Sequence, residues 1–288
     1  MTERKCDTCL SLLMLSGLLV LFCYSTTVTA EEKPGYRFGV FPHMSPLRIE
    51  KKYAPIAMFI GKHLNKPVKL STATQIDKFR ERVKKGDFDI ALIPPLDIVA
   101  IVDKGGYIPL ARRKSSSASI VVNEDSSIKK AEDLQGKTLG LPEGTPVNII
   151  IQLTLKDRGY TGDKAINFKS FNNVQACLHK LLLKSVDACG SASGTAINMF
   201  QNKMNVKLRE IMETESFPHM LFVAHPRLSS AERETITQII IGQKNIEKDQ
   251  YVIRALSKDQ DYVTYKSTDY DIIRLYRQRW LKYVKNTP

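Results

Sequence analysis

The chain has 288 residues, too many for one small domain and a suitable length for two lobes. Its 43 lysines and arginines against 30 carboxylates leave a net charge of +13, which attracts anions. The absence of a long basic tract and of a nucleic-acid module argues against nucleic acid, which leaves small anions, an acidic membrane face or a basic surface that only aids solubility.

Residues 1–30 read as a signal peptide. Arg4 and Lys5 precede an apolar run from Leu10 to Phe22, and Val28-Thr29-Ala30 supplies the small residues of a cleavage site after Ala30. The run falls short of the roughly 20 residues of a membrane-spanning helix. Glu3 and Asp7 leave together with Arg4 and Lys5, so the mature chain keeps its charge of +13 and is expected in the periplasm.

Tyr36 to Phe41 alternates as a first strand, and Pro42 to Pro46 forms a loop with Ser45 as N-cap and Pro46 opening a helix to about Leu64. Pro55 should kink that helix or restart it. Val68–Thr72 is a second strand and Thr74–Val83 a helix. Then comes GDFDIALIPPLDIVAI, from Gly86 to Ile101: a buried strand stopped by Pro94-Pro95, with a helix expected over Leu96–Ile101. This β-α-β-α-β order predicts right-handed crossovers and a largely parallel sheet, whose carboxyl edge is where open α/β sheets bind ligands.

A strand over Tyr107–Arg113 runs into Lys114-Ser115-Ser116-Ser117, the best crossover candidate of the chain. Strands at Ala118–Asn123 and Lys137–Leu141 follow, and Thr145 is placed to cap a helix that starts at Pro146 and stops at Gly159. Next come a strand Ala165–Ser170, a helix Asn173–Lys184, a strand Val186–Gly190, a helix from Gly194 and a strand Val206–Met212. Met220–Ala224 is expected to return to the first sheet, with a helix capped by Ser229/Ser230 after it. The C-terminal helix Asp269–Val284 is expected to lay Trp280 and Ile273 on its own lobe, with its charges in water.

After cleavage only Cys177 and Cys189 remain of the five cysteines. An exported compartment permits a disulfide. Cys177 lies on a helix face with Val174, Leu178 and Leu181, and Cys189 on the following strand. A layer spacing of about 10 Å exceeds the roughly 7 Å allowed between bridged Cα atoms, so two buried thiols are expected rather than a bridge.

Four stretches together resemble the periplasmic binding proteins of the phosphate, phosphite and phosphonate type. They are YRFGVFPHMSPLRIEKKYAPIAMFIGKHL, VKKGDFDIALIPPLDIVAI, SASIVVNEDSSIKKAEDLQGKTLGLPEGTP and NNVQACLHKLLLKSVDACGSASGT. The resemblance covers nearly all of the mature chain. It implies a two-lobe α/β fold of type II periplasmic binding proteins, with lobe one at 36–115 and 215–288 and lobe two at 116–214, joined by crossings near 114–118 and 213–219. It also implies a small-molecule ligand, an ABC permease as partner, a monomer, and no enzymatic or nucleic-acid role. The departures bear on the ligand. The family's aromatic residue after the third strand is here Ile93-Pro94. Its Ser-Thr-Ser-Gly anion turn is Glu143-Gly144-Thr145-Pro146-Val147-Asn148, and its histidine is Asn172.

Candidate ligand residues follow from position at the strand ends: His43, Met44, Thr72, Pro94, Pro95, Glu143, Thr145, Asn148, Asn172, Ser191 and Ser193. Helix N-termini at Thr145 and Ser193 offer amides and positive dipole ends to an oxyanion, although Ser, Thr and Asn also cap helices without any ligand. His43 and His219 sit at the cleft edge or hinge; His63, His179 and His225 read as structural. No metal-ligand spacing, catalytic elbow, Walker A or dinucleotide fingerprint occurs, so no cofactor, metal or catalytic residue is expected. A ligand-sensing subunit, or a carrier of an apolar or lipid-like ligand on Phe41, Met44, Ile93, Pro94 and Pro95, are the alternative functions.

Overall fold

The computed structural model describes residues 35–160, 165–192, 194–242 and 262–285. The expected signal peptide and Ser193 lie outside them. The first sheet holds β1 (Tyr36–Val40), β2 (Val68–Ser71), β3 (Ile90–Ile93), β4 (Ile108–Arg113), β10 (Leu221–Ala224) and β11 (Tyr262–Thr264), in the order β11-β4-β10-β3-β1-β2. The second holds β5 (Ala118–Asn123), β6 (Thr138–Pro142), β7 (Asn167–Phe171), β8 (Ala188–Ala192) and β9 (Leu208–Glu213), in the order β7-β6-β8-β5-β9.

Both sheets are mixed where the sequence suggested a mostly parallel arrangement, and the hinge explains why. β1, β2 and β3 pair in parallel, while β10 enters between β3 and β4 antiparallel to each. In the second sheet β6, β7 and β8 are parallel, and β5 enters between β8 and β9 antiparallel to both. β5 and β10 are the strands that begin at a crossing between the lobes. A strand that starts at the hinge must run opposite to those that end beside it. The ends of β1, β3 and β4 therefore share one edge, and those of β6, β7, β8 and β9 share the facing one.

The crossings are tied to each other. Ser116 and Phe217 form an antiparallel bridge with two backbone hydrogen bonds of 3.1 Å. The Thr214 amide donates to the Ala118 carbonyl at 2.8 Å, and the Ala118 amide donates to the Thr214 hydroxyl at 3.0 Å. Two short paired strands resist shear yet can twist, the mechanical requirement of a hinge.

The first lobe packs α1 (Pro46–Leu64) and α2 (Ile76–Lys84) against its sheet. α1 runs through Pro55 without the restart suggested by the sequence, and buries Ile49, Tyr53, Ile56 and Ile60. Phe38 at the sheet centre stacks on Phe222 with ring centroids 5.7 Å apart. After β3 the expected helix is replaced by a 3₁₀ turn, Pro95–Asp97, and a π-helical turn, Val99–Asp103. Buried Asp97 accepts two hydrogen bonds from Arg80 Nε, 2.8 and 2.9 Å, which pins this turn to α2. α6 (Ser230–Ile240) begins in a capping box between Ser229 and Glu232.

The second lobe carries α3 (Pro146–Asp157), α4 (Val174–Leu182) and α5 (Gly194–Met204). Here the cysteine expectation is corrected: Cys177 and Cys189 form a disulfide, with Cα atoms 6.0 Å apart. The cause is Gly140, which faces Cys189 in the β6–β8 register. A Cβ on Gly140 would lie 2.5 Å from the Cys177 sulfur and 2.8 Å from the Phe171 ring. With no side chain there, α4 descends closer to the sheet than the generic layer spacing allows.

α7 (Asp271–Lys285) also departs from expectation. It buries Ile273 and Tyr276, but it reaches the other lobe as well as its own. Arg274 pairs with Asp103 at 2.8 Å, whereas Arg279 donates to both oxygens of Asp157 on α3 at 2.6 Å. The Lys156 ammonium sits 4.1 Å from the Tyr283 ring centroid. Trp280 is half-buried, its ring centroid 5.5 Å from that of Tyr283.

Candidate ligand-binding cleft

On the first lobe, the loop after β1 carries His43. Its Nδ1 lies 2.9 Å from the Phe41 carbonyl and its Nε2 3.2 Å from the Tyr53 hydroxyl. Burial lowers its pKa to about 4, so the ring is neutral at physiological pH. A carbonyl only accepts, which puts the single proton on Nδ1 and makes Tyr53 the donor to Nε2. Both nitrogens are then committed to the protein. Met44 beside it is half-buried. The Thr72 hydroxyl donates to the Val40 carbonyl at 2.7 Å and so staples the end of β1. Pro94 and Pro95 are buried, leaving little surface for a ligand.

β4 ends at the same edge with Arg113. Its amide donates to the Met220 carbonyl at 2.9 Å, and Tyr262 stands opposite it in the β11–β4 register. The Arg113 charge acts on His43, Tyr53, His219 and Tyr262. Its neighbour Arg112 donates to Asp269 at 2.7 Å. At the hinge itself the Ser116 hydroxyl pairs with Nε2 of His219. Burial, assisted by Arg113, brings His219 down to about 4 as well, so this imidazole is also neutral.

On the second lobe, Thr145 caps α3: its hydroxyl donates to the Pro142 carbonyl at 2.8 Å and accepts from the Asn148 amide at 3.4 Å. Pro146 has no N–H, and the Ile149 amide begins the i→i−4 ladder on Thr145. Val147 therefore supplies the one uncommitted amide of this helix start. Asn148 accepts from Gln152 through its side chain. Glu143 and Asn172 are exposed at the ends of β6 and β7, where the Glu143 amide donates to the Phe171 carbonyl at 2.8 Å. Asn173 caps α4 by accepting from the Ala176 amide at 2.9 Å. Ser191, fully buried near the end of β8, has a hydroxyl without a hydrogen-bond partner among the described residues.

The topology thus puts the sequence-derived positions on two facing edges, but commits several of their polar groups internally. The sequence reasoning passed over Arg113 and Ser116. The available signal was position: a basic residue closing a strand parallel to β1, directly before the serine run. Among the described residues no group of three or more His, Cys, Asp or Glu could hold a metal ion.

Two α/β lobes with facing carboxyl edges and a paired two-strand hinge are the architecture of a type II periplasmic binding protein. Residues 38–270 match the family described as ABC transporter, phosphonate, periplasmic substrate-binding protein. The chain belongs to that family, one of solute-binding transport components and not of enzymes. Among solved structures it is similar to PhnD1 of Prochlorococcus marinus in complex with methylphosphonate, at 16% identity and a TM-score of 0.73, covering 86% of this chain and 98% of that one. It is also similar to a binding-protein component of an ABC phosphonate transporter from Pseudomonas aeruginosa, at 15% identity and a TM-score of 0.70, over 86% and 87% of the two chains. A Xanthomonas citri protein solved bound to ATP matches at 12% identity and a TM-score of 0.68, over 88% and 100%. Identities this low carry the fold, not the ligand. Among the described residues no helix is long and apolar enough to cross a membrane.

Proposed function

We propose that this chain, exported and cleaved after Ala30, captures a phosphonate or related phosphorus oxyanion between its lobes and presents the closed form to an ABC permease. The observation that carries the reading is the pairing of two facing strand-end edges across the Ser116–Phe217 hinge, in a chain of the phosphonate-transporter family. Ligand contact on both edges stabilises the closed state by the difference in affinity between open and closed forms. Lobe one comprises 36–115 and 215–288 and lobe two 116–214. The protein acts as a monomer and does not bind nucleic acid. Met44, Glu143, Asn148 and Asn172, half-buried or exposed at the two edges, form the walls around the ligand. Thr145, His43 and Thr72 hold the walls in place, and Ser191 takes part from the end of β8, with Ser193 outside the described residues.

Native mass spectrometry of the mature protein, followed by calorimetric titration with methylphosphonate, phosphite and phosphate, tests this. A retained phosphorus anion, or saturable binding of one of the three with a 1:1 stoichiometry, is the expected result. Retention of an apolar mass with no response to any of the anions would overturn it.

A further inference from the structure

We propose that the outward face of α7, built on Arg277, Leu281, Lys282, Val284 and Lys285, is a docking surface for an anionic phospholipid bilayer. The protein rests on the bilayer through this helix while its cleft stays accessible to solute. The inference goes beyond solute capture and does not depend on which ligand the cleft takes.

Three observations carry it. The first is charge. Residues 272–288 contain five lysines and arginines and no carboxylate. Two of the five are neutralised where they stand, Arg274 by Asp103 and Arg279 by Asp157. Arg277, Lys282 and Lys285 form no ion pair among the described residues. The second is apolar surface among those cations. Leu281 and Val284 are 47% and 52% exposed, on a helix whose opposite side buries Ile273 and Tyr276. At 3.6 residues per turn, Arg277, Leu281, Val284 and Lys285 fall on one stripe, with Lys282 beside it. Half-buried Trp280 lies one turn before Val284. The third is position. The second half of α7 stands beside the last turn of α3, where Arg279 meets Asp157 and the Lys156 ammonium lies 4.1 Å from the Tyr283 ring centroid. α3 starts at the cleft edge and runs for 12 residues, so its far end lies roughly 17 Å along its axis from that edge. A surface lying against this end leaves the cleft uncovered.

The chemistry follows from these placements. Each lysine or arginine brought to an anionic bilayer contributes about a fivefold gain in partition, so three give on the order of a hundredfold. Lysine stems can lie along the interface with their ammonium groups among the phosphates, while Leu281 and Val284 enter the boundary beneath the headgroups. α7 is already folded and fixed by its buried side and its two ion pairs, so binding has little to order. A protein partner accounts for the face less well. Protein interfaces are depleted in lysine and centre on buried aromatic or arginine anchors, whereas here two aliphatic side chains are ringed by cations. A nucleic acid would use the cations and leave Leu281 and Val284 without apolar contact.

The test is co-sedimentation of the mature protein with vesicles of phosphatidylcholine alone and of an equal mixture of phosphatidylcholine and phosphatidylglycerol. Trp280 is the single tryptophan of the chain, so its fluorescence reports on α7 directly. Wild type should bind the mixed vesicles and not the neutral ones, lose binding as salt rises, and shift its Trp280 emission to shorter wavelength on binding. K282Q/K285Q should bind about thirtyfold more weakly, and L281S/V284S severalfold more weakly, with unchanged circular dichroism. K51Q/K62Q removes the same charge from exposed positions on α1 and should bind within twofold of wild type. No binding to the mixed vesicles, or equal binding to both kinds, overturns the proposal. So does a K51Q/K62Q loss as large as that of K282Q/K285Q, which would make the attraction a property of the overall charge. If K282Q/K285Q does not fold, wild type decides: binding to the mixed vesicles without a Trp280 shift places the contact elsewhere and refutes the α7 face.

Discussion

Removing the Cys177–Cys189 disulfide should loosen the second lobe selectively. The bridge spans a sequence separation of 12. Closing a loop of that size removes roughly 9–10 cal/mol/K from the unfolded chain, or about 3 kcal/mol at 25 °C. The bridge also holds α4 on the sheet over Gly140, and α4 begins directly after Asn172 and Asn173 at the cleft edge. In a C177S/C189S variant, hydrogen exchange read by mass spectrometry should therefore accelerate roughly a hundredfold in peptides from β6, β8 and α4, the equivalent of about 3 kcal/mol. Peptides from β1, β3 and α1 should exchange as before, because their core is separate from the Cys177–Leu181 cluster. Ligand affinity should fall as well, since a loosened α4 must be ordered on binding. Acceleration below about threefold in the second lobe, or equal acceleration in both lobes, would refute this account.

Three further outcomes follow from charges in the first lobe. R80A leaves Asp97 buried without its partner, and such a change costs about 3–5 kcal/mol, readable as a lowered urea midpoint; R80K should recover part of it. Burial alone would raise the Glu232 carboxyl, but hydrogen bonds from Tyr36, the Ser229 amide and Lys66 outweigh it and hold it at about 2. Its contribution is complete above the ordinary glutamate range near 4.5 and is lost as pH falls towards 2, so E232Q should flatten acid unfolding in that window. Burial of His43 and His219 acts between pH 6.5 and about 4, where the unfolded chain takes up protons that the folded one refuses. Stability should decline as pH falls through that window, and an H43N/H219N variant that keeps the same slope would contradict the assignment.

The fold was readable because its signals are local. Gly86, Pro94 and Pro95 bracket an unbroken apolar run, Thr145-Pro146 starts a helix, and a polar serine run separates two apolar strands. Each of these limits backbone torsions or burial without reference to distant residues. What escaped the sequence depends on contacts between distant residues. The closeness of α4 to its sheet depends on Gly140 and Phe171, 37 and 6 positions before Cys177. The commitment of His43 depends on Tyr53 one helix away, and the edge location of Arg113 depends on β10 having inserted antiparallel between β3 and β4. Periodicity assigns a residue to a face; it does not say which groups the neighbouring element will already have satisfied.

α7 shows how magnitudes decide what such a contact can do. It joins Asp103 of the first lobe to Asp157 of the second, and could be taken for a lock on the hinge. The energies argue otherwise. Arg279 and Asp157 are 36% and 53% exposed in their side chains, so their pair contributes about 0.2–1 kcal/mol. A ligand bound at micromolar affinity supplies about 8 kcal/mol, part of which is available to drive closure. The position of the helix matters too. Tyr276 hydrogen-bonds Glu215 within the second crossing, so α7 touches the chain where rotation displaces atoms least, and Arg279 lies one turn further along. That ion pair therefore biases the open–closed balance by less than a factor of about ten, little beside what the ligand supplies.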